Sequence, residues 1–160
     1  MRFHGLAAIA LLLGASACTG RDAAASAGNE AAPAALTPVT ITSATGRHVF
    51  KVEMARTQPQ QQRGLMYRTN IPADGGMLFS PYPPEGGPPR EASFWMKNTP
   101  SPLDIIFIRA DGTIARIAEN TVPFSEAQVP SGEPVAAVLE INGGRAAELG
   151  IAEGDKVSWK

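Results

Sequence analysis

Leu103-Asp104-Ile105-Ile106-Phe107-Ile108-Arg109-Ala110-Asp111-Gly112-Thr113-Ile114-Ala115-Arg116-Ile117-Ala118 carries the clearest folding signal in the chain. Two runs rich in β-branched residues, Leu103 to Ile108 and Thr113 to Ala118, flank Ala110-Asp111-Gly112. Asp-Gly between such runs is the strongest short-range signal for a β-hairpin, because both residues tolerate the positive φ of a tight turn.

Toward the N-terminus, Val39-Thr40-Ile41-Thr42 and His48 to Met54 read as a second hairpin joined by Ala44-Thr45-Gly46, with Phe50, Val52 and Met54 on one face. Thr57-Gln58-Pro59-Gln60 then suits a helix start: Thr57 can cap, Gln60 can reach back, and Pro59 fits the first turn. The helix is expected to end near Arg68. Gly76-Met77-Leu78-Phe79 and Ser93-Phe94-Trp95-Met96 are short apolar runs separated by Pro81, Pro83, Pro84, Pro88 and Pro89 with Gly86 and Gly87. Such a loop lacks the amides that a central strand or a helix requires.

Toward the C-terminus, Val122 to Pro134 reads as another proline-bearing loop, Val135 to Ile141 as a buried strand and Lys156 to Trp159 as a closing strand. Arg145 to Leu149 reads as a short helix stopped by Gly150. No internal repeat is visible, and no strands alternate with the full-length crossover helices of a parallel sheet. About eight short strands and one or two short helices predict a mainly β, compact single-domain β-sandwich or barrel, jelly-roll-like.

The N-terminus has the three parts of a secretory signal: Arg2, an apolar run from Leu6 to Leu13, and small residues Ala15, Ser16 and Ala17. That run falls short of the roughly 20 residues a membrane-spanning helix needs. Ala15-Ser16-Ala17-Cys18 resembles the lipobox of bacterial lipoproteins, although position 15 usually carries Leu. Cys18 is the single cysteine of 160 residues and has no internal disulfide partner, which also favours lipidation. Thr19, rather than Asp, after the cysteine favours the outer membrane by the same resemblance. The expected organisation is therefore a signal peptide over residues 1–17, a lipidated Cys18 with an Ala/Ser/Pro-rich spacer to Pro38, and one domain over residues 39–160. The implied partner is a lipid membrane, with the monomeric domain on the periplasmic side of the envelope.

Removal of residues 1–17 leaves 13 basic against 15 acidic residues. With no basic run or aromatic-basic stripe, nucleic acid is not an expected partner.

Gln62-Arg63-Gly64-Leu65-Met66-Tyr67-Arg68, Gly76-Met77-Leu78-Phe79, Phe94-Trp95-Met96-Lys97-Asn98-Thr99 and Pro102-Leu103-Asp104-Ile105-Ile106-Phe107 occur in one order at close spacing. Together with Asp111-Gly112, Pro123, Val138-Leu139-Glu140-Ile141, Gly144 and Gly154-Asp155, they resemble the domain-of-unknown-function 192 family, also called uncharacterised protein family 0127. The resemblance implies a compact, mainly β fold, often exported or anchored, with no established activity. The loop from Pro81 to Arg90 is longer and richer in Pro and Gly than the family pattern, which bears on access to the surface near Trp95 and Lys97.

Arg63, Arg68, Lys97, Asn98, Asp104 and Glu140 are polar residues set within apolar motifs. One reading is structural: Asp104 and Glu140 pair internally with Arg63, Arg68 or Lys97, leaving a scaffold domain. A second makes Arg63, Arg68, Trp95, Lys97, Asn98 and Asp104 a site for a small polar or anionic ligand, or for an envelope protein, with Trp95 as a stacking wall. A third makes Asp104 and Glu140 the acid and base of an envelope carbohydrate hydrolase, which requires both in one cleft about 5 to 9.5 Å apart. Nucleophile and P-loop motifs are missing, and His48 stands alone in its hairpin. Met54, Met66, Met77 and Met96 suit monovalent copper chemically, but each sits in an apolar run as a gap-filler would. No metal or cofactor is expected, and the non-catalytic binding lipoprotein is the leading reading.

Overall fold

The computed structural model describes residues 35–160, so the signal segment, Cys18 and nearly all of the spacer lie outside the described residues. The elements are β1 (Thr37–Ser43), β2 (Gly46–Ala55), α1 (Gln58–Arg63), β3 (Gly76–Phe79), β4 (Arg90–Phe94), β5 (Leu103–Ile108), β6 (Ile114–Ala118), β7 (Val129–Val135), β8 (Ala137–Asn142), α2 (Arg145–Leu149) and β9 (Lys156–Trp159).

Seven strands form one sheet in the order β6-β5-β8-β3-β2-β1-β9, while β4 and β7 make a separate two-stranded sheet. The larger sheet curls until its edges meet. Thr113, just before β6, bridges Lys156 of β9, and the Val157 amide donates to the Gly112 carbonyl at 2.8 Å. The fold is mainly β, as expected, and of the two expected forms it is the barrel.

Alternation along each strand divides the apolar residues between two cores. The inner face carries Val39, Ile41, Phe50, Leu78, Ile106 and Leu139. The outer face carries Phe79, Ile105, Phe107 and Val138, covered by Ala92 and Val135 of the small sheet and by Leu65 and Met96. All six residues of β5 are buried, which is why Leu103 to Ile108 shows an unbroken apolar run interrupted only by Asp104.

The Asp-Gly hairpin is present, pairing Ile105 with Ala118 and Ile106 with Ile117, with a bulge between Phe107 and Ile108. The first hairpin closes with Ser43 opposite Gly46. Two expectations need correction, and one strand pairing was not anticipated. The first helix stops at Arg63 rather than Arg68, because Gly64 leaves the helical region at φ 47°, ψ −137° and ends the ladder. β3 runs parallel to β2, joined by a crossover that contains only the short α1. The segment from Val122 to Pro134 is not all loop, since β7 runs through Pro130 and Pro134. It tolerates them because it pairs only with β4, leaving one edge without a ladder to complete.

β3 and β8 pack tightly at Gly76, where an added Cβ would run into the Glu140 backbone carbonyl. Gly76→Ala is expected to cost about 3 kcal/mol or more by forcing β3 away from β8, read as a lower urea midpoint. An unchanged midpoint would show that the pairing is loose enough to yield.

Candidate functional site

The outer cover of the barrel is incomplete. Between β3, β8, α1, β4 and the loop from Pro81 to Arg90 lies a cavity of about 800 Å³, within the size range of small-molecule sites. Its floor includes Phe79 and Glu140 from the sheet. The helical side contributes Gln61, Gln62, Arg63 and Gly64, and the opposite wall contributes Ser93, Phe94 and Trp95. Tyr82, Pro84 and Glu85 of the proline-rich loop also line it, so that loop does border the Trp95 surface as its length suggested.

Glu140 is the unusual member. It lies on β8 with Val138 on the outer face, 5% exposed, and its Oε2 is fully enclosed with no hydrogen-bond partner. Gly64 passes directly above it: a Cβ there would stand 3.2 Å from the Phe79 ring and 3.8 Å from Glu140 Oε2. Burial pushes the Glu140 carboxyl up to about 8, because the charged form would lose its water without gaining a counter-ion. At neutral pH the group is a protonated acid, able to donate one hydrogen bond and accept another.

Asp104 has the opposite surroundings. Its Oδ1 accepts from the Asn120 and Gly144 amides at 2.7 and 2.8 Å, and its Oδ2 accepts from the Ala146 amide at 2.8 Å. It therefore ties the turn after β6 and the start of α2 to β5. In the β5–β8 ladder Asp104 stands opposite Ile141, and Glu140 opposite Ile105. Adjacent ladder positions point to opposite faces, so Asp104 faces the barrel interior and Glu140 the cavity. The two-acid cleft proposed for a hydrolase is not formed.

The internal ion pairs expected of a scaffold are not formed either. Arg68 pairs with Glu53 at 3.0 Å, and Lys97 pairs with Glu126 at 3.7 Å while lying 5.1 Å from the Trp95 ring centroid. Arg63 has no carboxylate within ion-pairing distance among the described residues, and it lines the cavity. Asn98 sits in a left-handed turn at φ 54°, its carbonyl accepting from the Tyr67 amide at 2.8 Å. Of the residues expected at the site, the cavity brings together Arg63, Trp95 and Glu140. Arg68, Lys97, Asn98 and Asp104 lie outside its lining.

Sequence reasoning missed Gln61, Tyr82, Ser93 and Gln128, which all line the cavity. The run Gln58 to Gln62 was the available signal, since an exposed polar helix beside an apolar sheet has to border something. His48 bonds Ser43 and Thr45 within its hairpin and does not line the cavity. Met77 and Met96 pack in the outer core and Met54 against the inner one, which divides the methionines rather than clustering them. Among the described residues no three His, Cys, Asp or Glu side chains group as a metal site, and no helix is long and apolar enough to cross a membrane.

A curled, nearly closed β-barrel with a two-stranded outer flap and a side cavity defines the class of this domain. The DUF192 family model, described as Uncharacterized ACR, matches residues 39–159, and the chain belongs to that family. A protein of unknown function from Novosphingobium aromaticivorans shares 51% identity, with 78% of this chain and 85% of that one covered and a TM-score of 0.73. A Sinorhizobium meliloti protein described as a candidate transcription regulator shares 45% identity over 79% of this chain and 95% of its own, with a TM-score of 0.72. No curated protein matches the chain.

Replacing each acid by its amide separates the two carboxyls. Asp104→Asn sets an amide nitrogen against a backbone donor and is expected to cost about 3 kcal/mol. For Glu140, the unfolded chain releases its proton near 4.5 and the folded one near 8. Between those values the unfolded state binds fewer protons, so stability falls as pH rises, by at most about 1.4 kcal/mol per pH unit, and levels off above pH 8. Glu140→Gln should remove that slope and raise stability at pH 9, checked by denaturation midpoints from pH 4 to 10. A retained slope would assign it to other groups.

Proposed function

We propose that this protein is a non-catalytic, lipid-anchored envelope protein whose cavity binds a small polar ligand. The observation that carries the binding reading is the Glu140 carboxyl, buried and without a hydrogen-bond partner on Oε2 at the floor of an open cavity. An enclosed polar group left unpaired costs about 1 to 3 kcal/mol, a cost that a ligand able to hydrogen-bond it would offset. Arg63 at the same cavity supplies an uncommitted cation for an acidic substituent, and Trp95, 41% exposed, supplies a ring face.

Catalysis is less well supported, because the second acid of the hydrolase reading faces the barrel interior. The description of the Sinorhizobium meliloti relative raises nucleic-acid binding, but the surface offers little for it. Basic and acidic residues number 14 and 15, and Arg68, Arg90, Lys97, Arg109, Arg145 and Lys156 each lie beside a carboxylate. Envelope localisation rests on the signal-like segment and Cys18.

A thermal-shift screen against neutral and anionic metabolites tests the cavity. At least one compound is expected to raise the melting temperature of the wild type and not that of Glu140→Leu, since binding to the native state stabilises it. A screen in which every stabilising compound acts equally on both proteins would end the cavity reading. The anchor has its own check. Wild-type chain should incorporate labelled fatty acid and sediment with membranes, whereas Cys18→Ser should do neither.

A further inference from the structure

We propose that the cavity is a saccharide site, taking hydroxyl-rich rings that carry a carboxylate. The proposal rests on the cavity being a binding site, as argued above, and adds the ligand class. Two buried side-chain atoms without partners, Gln61 Oε1 and Glu140 Oε2, belong to residues that line this one cavity. The Gln61 amide cannot reverse: its Nε2 donates to the Ala55 and Pro81 carbonyls at 3.0 and 2.7 Å, so the oxygen is fixed as an acceptor. The Glu140 carboxyl, protonated at neutral pH, presents a donor beside its own acceptor.

Fixed neutral donors and acceptors in one enclosure match a ligand whose groups both donate and accept, and each hydroxyl of a sugar does so. An apolar ligand would leave Gln61 and Glu140 unpaired, at the cost that makes such sites selective. A highly charged anion such as a polyphosphate would meet one uncommitted cation, Arg63, while Arg90 is held by Glu85 at 2.8 Å. The walls fit the same ligand. Planar amides from Gln58 and Gln62 can bridge neighbouring hydroxyls, and the Trp95 ring can cover the C–H face of a pyranose. Arg63 then takes the ring carboxylate, as a guanidinium does through two parallel hydrogen bonds.

The Trp95 side-chain N–H resonance reports the test, with Trp159, the other tryptophan and absent from the cavity lining, as its internal control. Digalacturonate titrated into the wild type is expected to move the Trp95 resonance saturably and leave Trp159 in place. Cellobiose, of equal ring count without the acid, is expected to bind about tenfold more weakly. Arg63→Ala should erase that difference by lowering digalacturonate affinity to the cellobiose level. Glu140→Gln, whose amide reproduces a protonated carboxyl, should keep both affinities, and Glu140→Leu should abolish both. If alanyl-glutamate moves Trp95 while neither sugar does, the saccharide assignment is overturned and the cavity remains a binding site, for peptides. If no sugar moves Trp95, the assignment is overturned whatever the broader screen finds.

Discussion

Because β5 and β8 are interior strands of the curled sheet with side chains buried on both faces, the fold has to supply two covers. The inner cover comes from curling: Val39, Phe50 and Leu78 from neighbouring strands close over Ile106 and Leu139. The outer cover is assembled from separate pieces, the β4–β7 flap, Leu65 after α1 and Met96 after β4. A sheet that wraps on itself fills its interior efficiently, whereas a patchwork of short segments leaves gaps. The cavity lies at one such gap, between α1 and the flap.

The ladder between β5 and β8 then decides the fates of two chemically similar residues. One register position apart, Asp104 and Glu140 point to opposite sides of the same pair of strands. Asp104 meets three backbone amides and holds the turn after β6 and the start of α2. Glu140 meets Phe79 and the underside of Gly64, finds no donor, and keeps its proton instead. The contrast is one of parity rather than residue type, since one side of the strand pair offers backbone donors and the other offers none.

Much of the architecture was legible from local chemistry. The Asp-Gly turn, the short loop at Thr45, the stop at Gly150 and the all-buried run of β5 each follow from residues close in sequence. What was not legible depends on pairing between distant segments. Nothing in Gly76 to Phe79 states that it lies parallel to β2, and the prolines of β7 mask a strand whose single partner permits them. The site shows the same division. Arg63 and Trp95 were recognisable as polar and aromatic residues in a compact motif, yet the separation of Asp104 from Glu140 required the register. The sequence pattern of charges among apolar residues suggested mutual pairing, and the structure instead pairs Arg68 and Lys97 with Glu53 and Glu126.

The meeting of the sheet's two edges bears on the order of assembly. β1, the first strand, lies beside β9, the last, with Val39 opposite Trp159, and the bridge from Lys156 to Thr113 joins β9 to the approach of β6. Contacts of such long sequence separation form late, after the loops between them have been closed. A chain emerging N-terminus first holds its two hairpins as local units long before it can join them into a ring. Val157 completes the inner core only when the final strand arrives. In that order of assembly the domain is a latch, with Lys156–Trp159 as its closing strand.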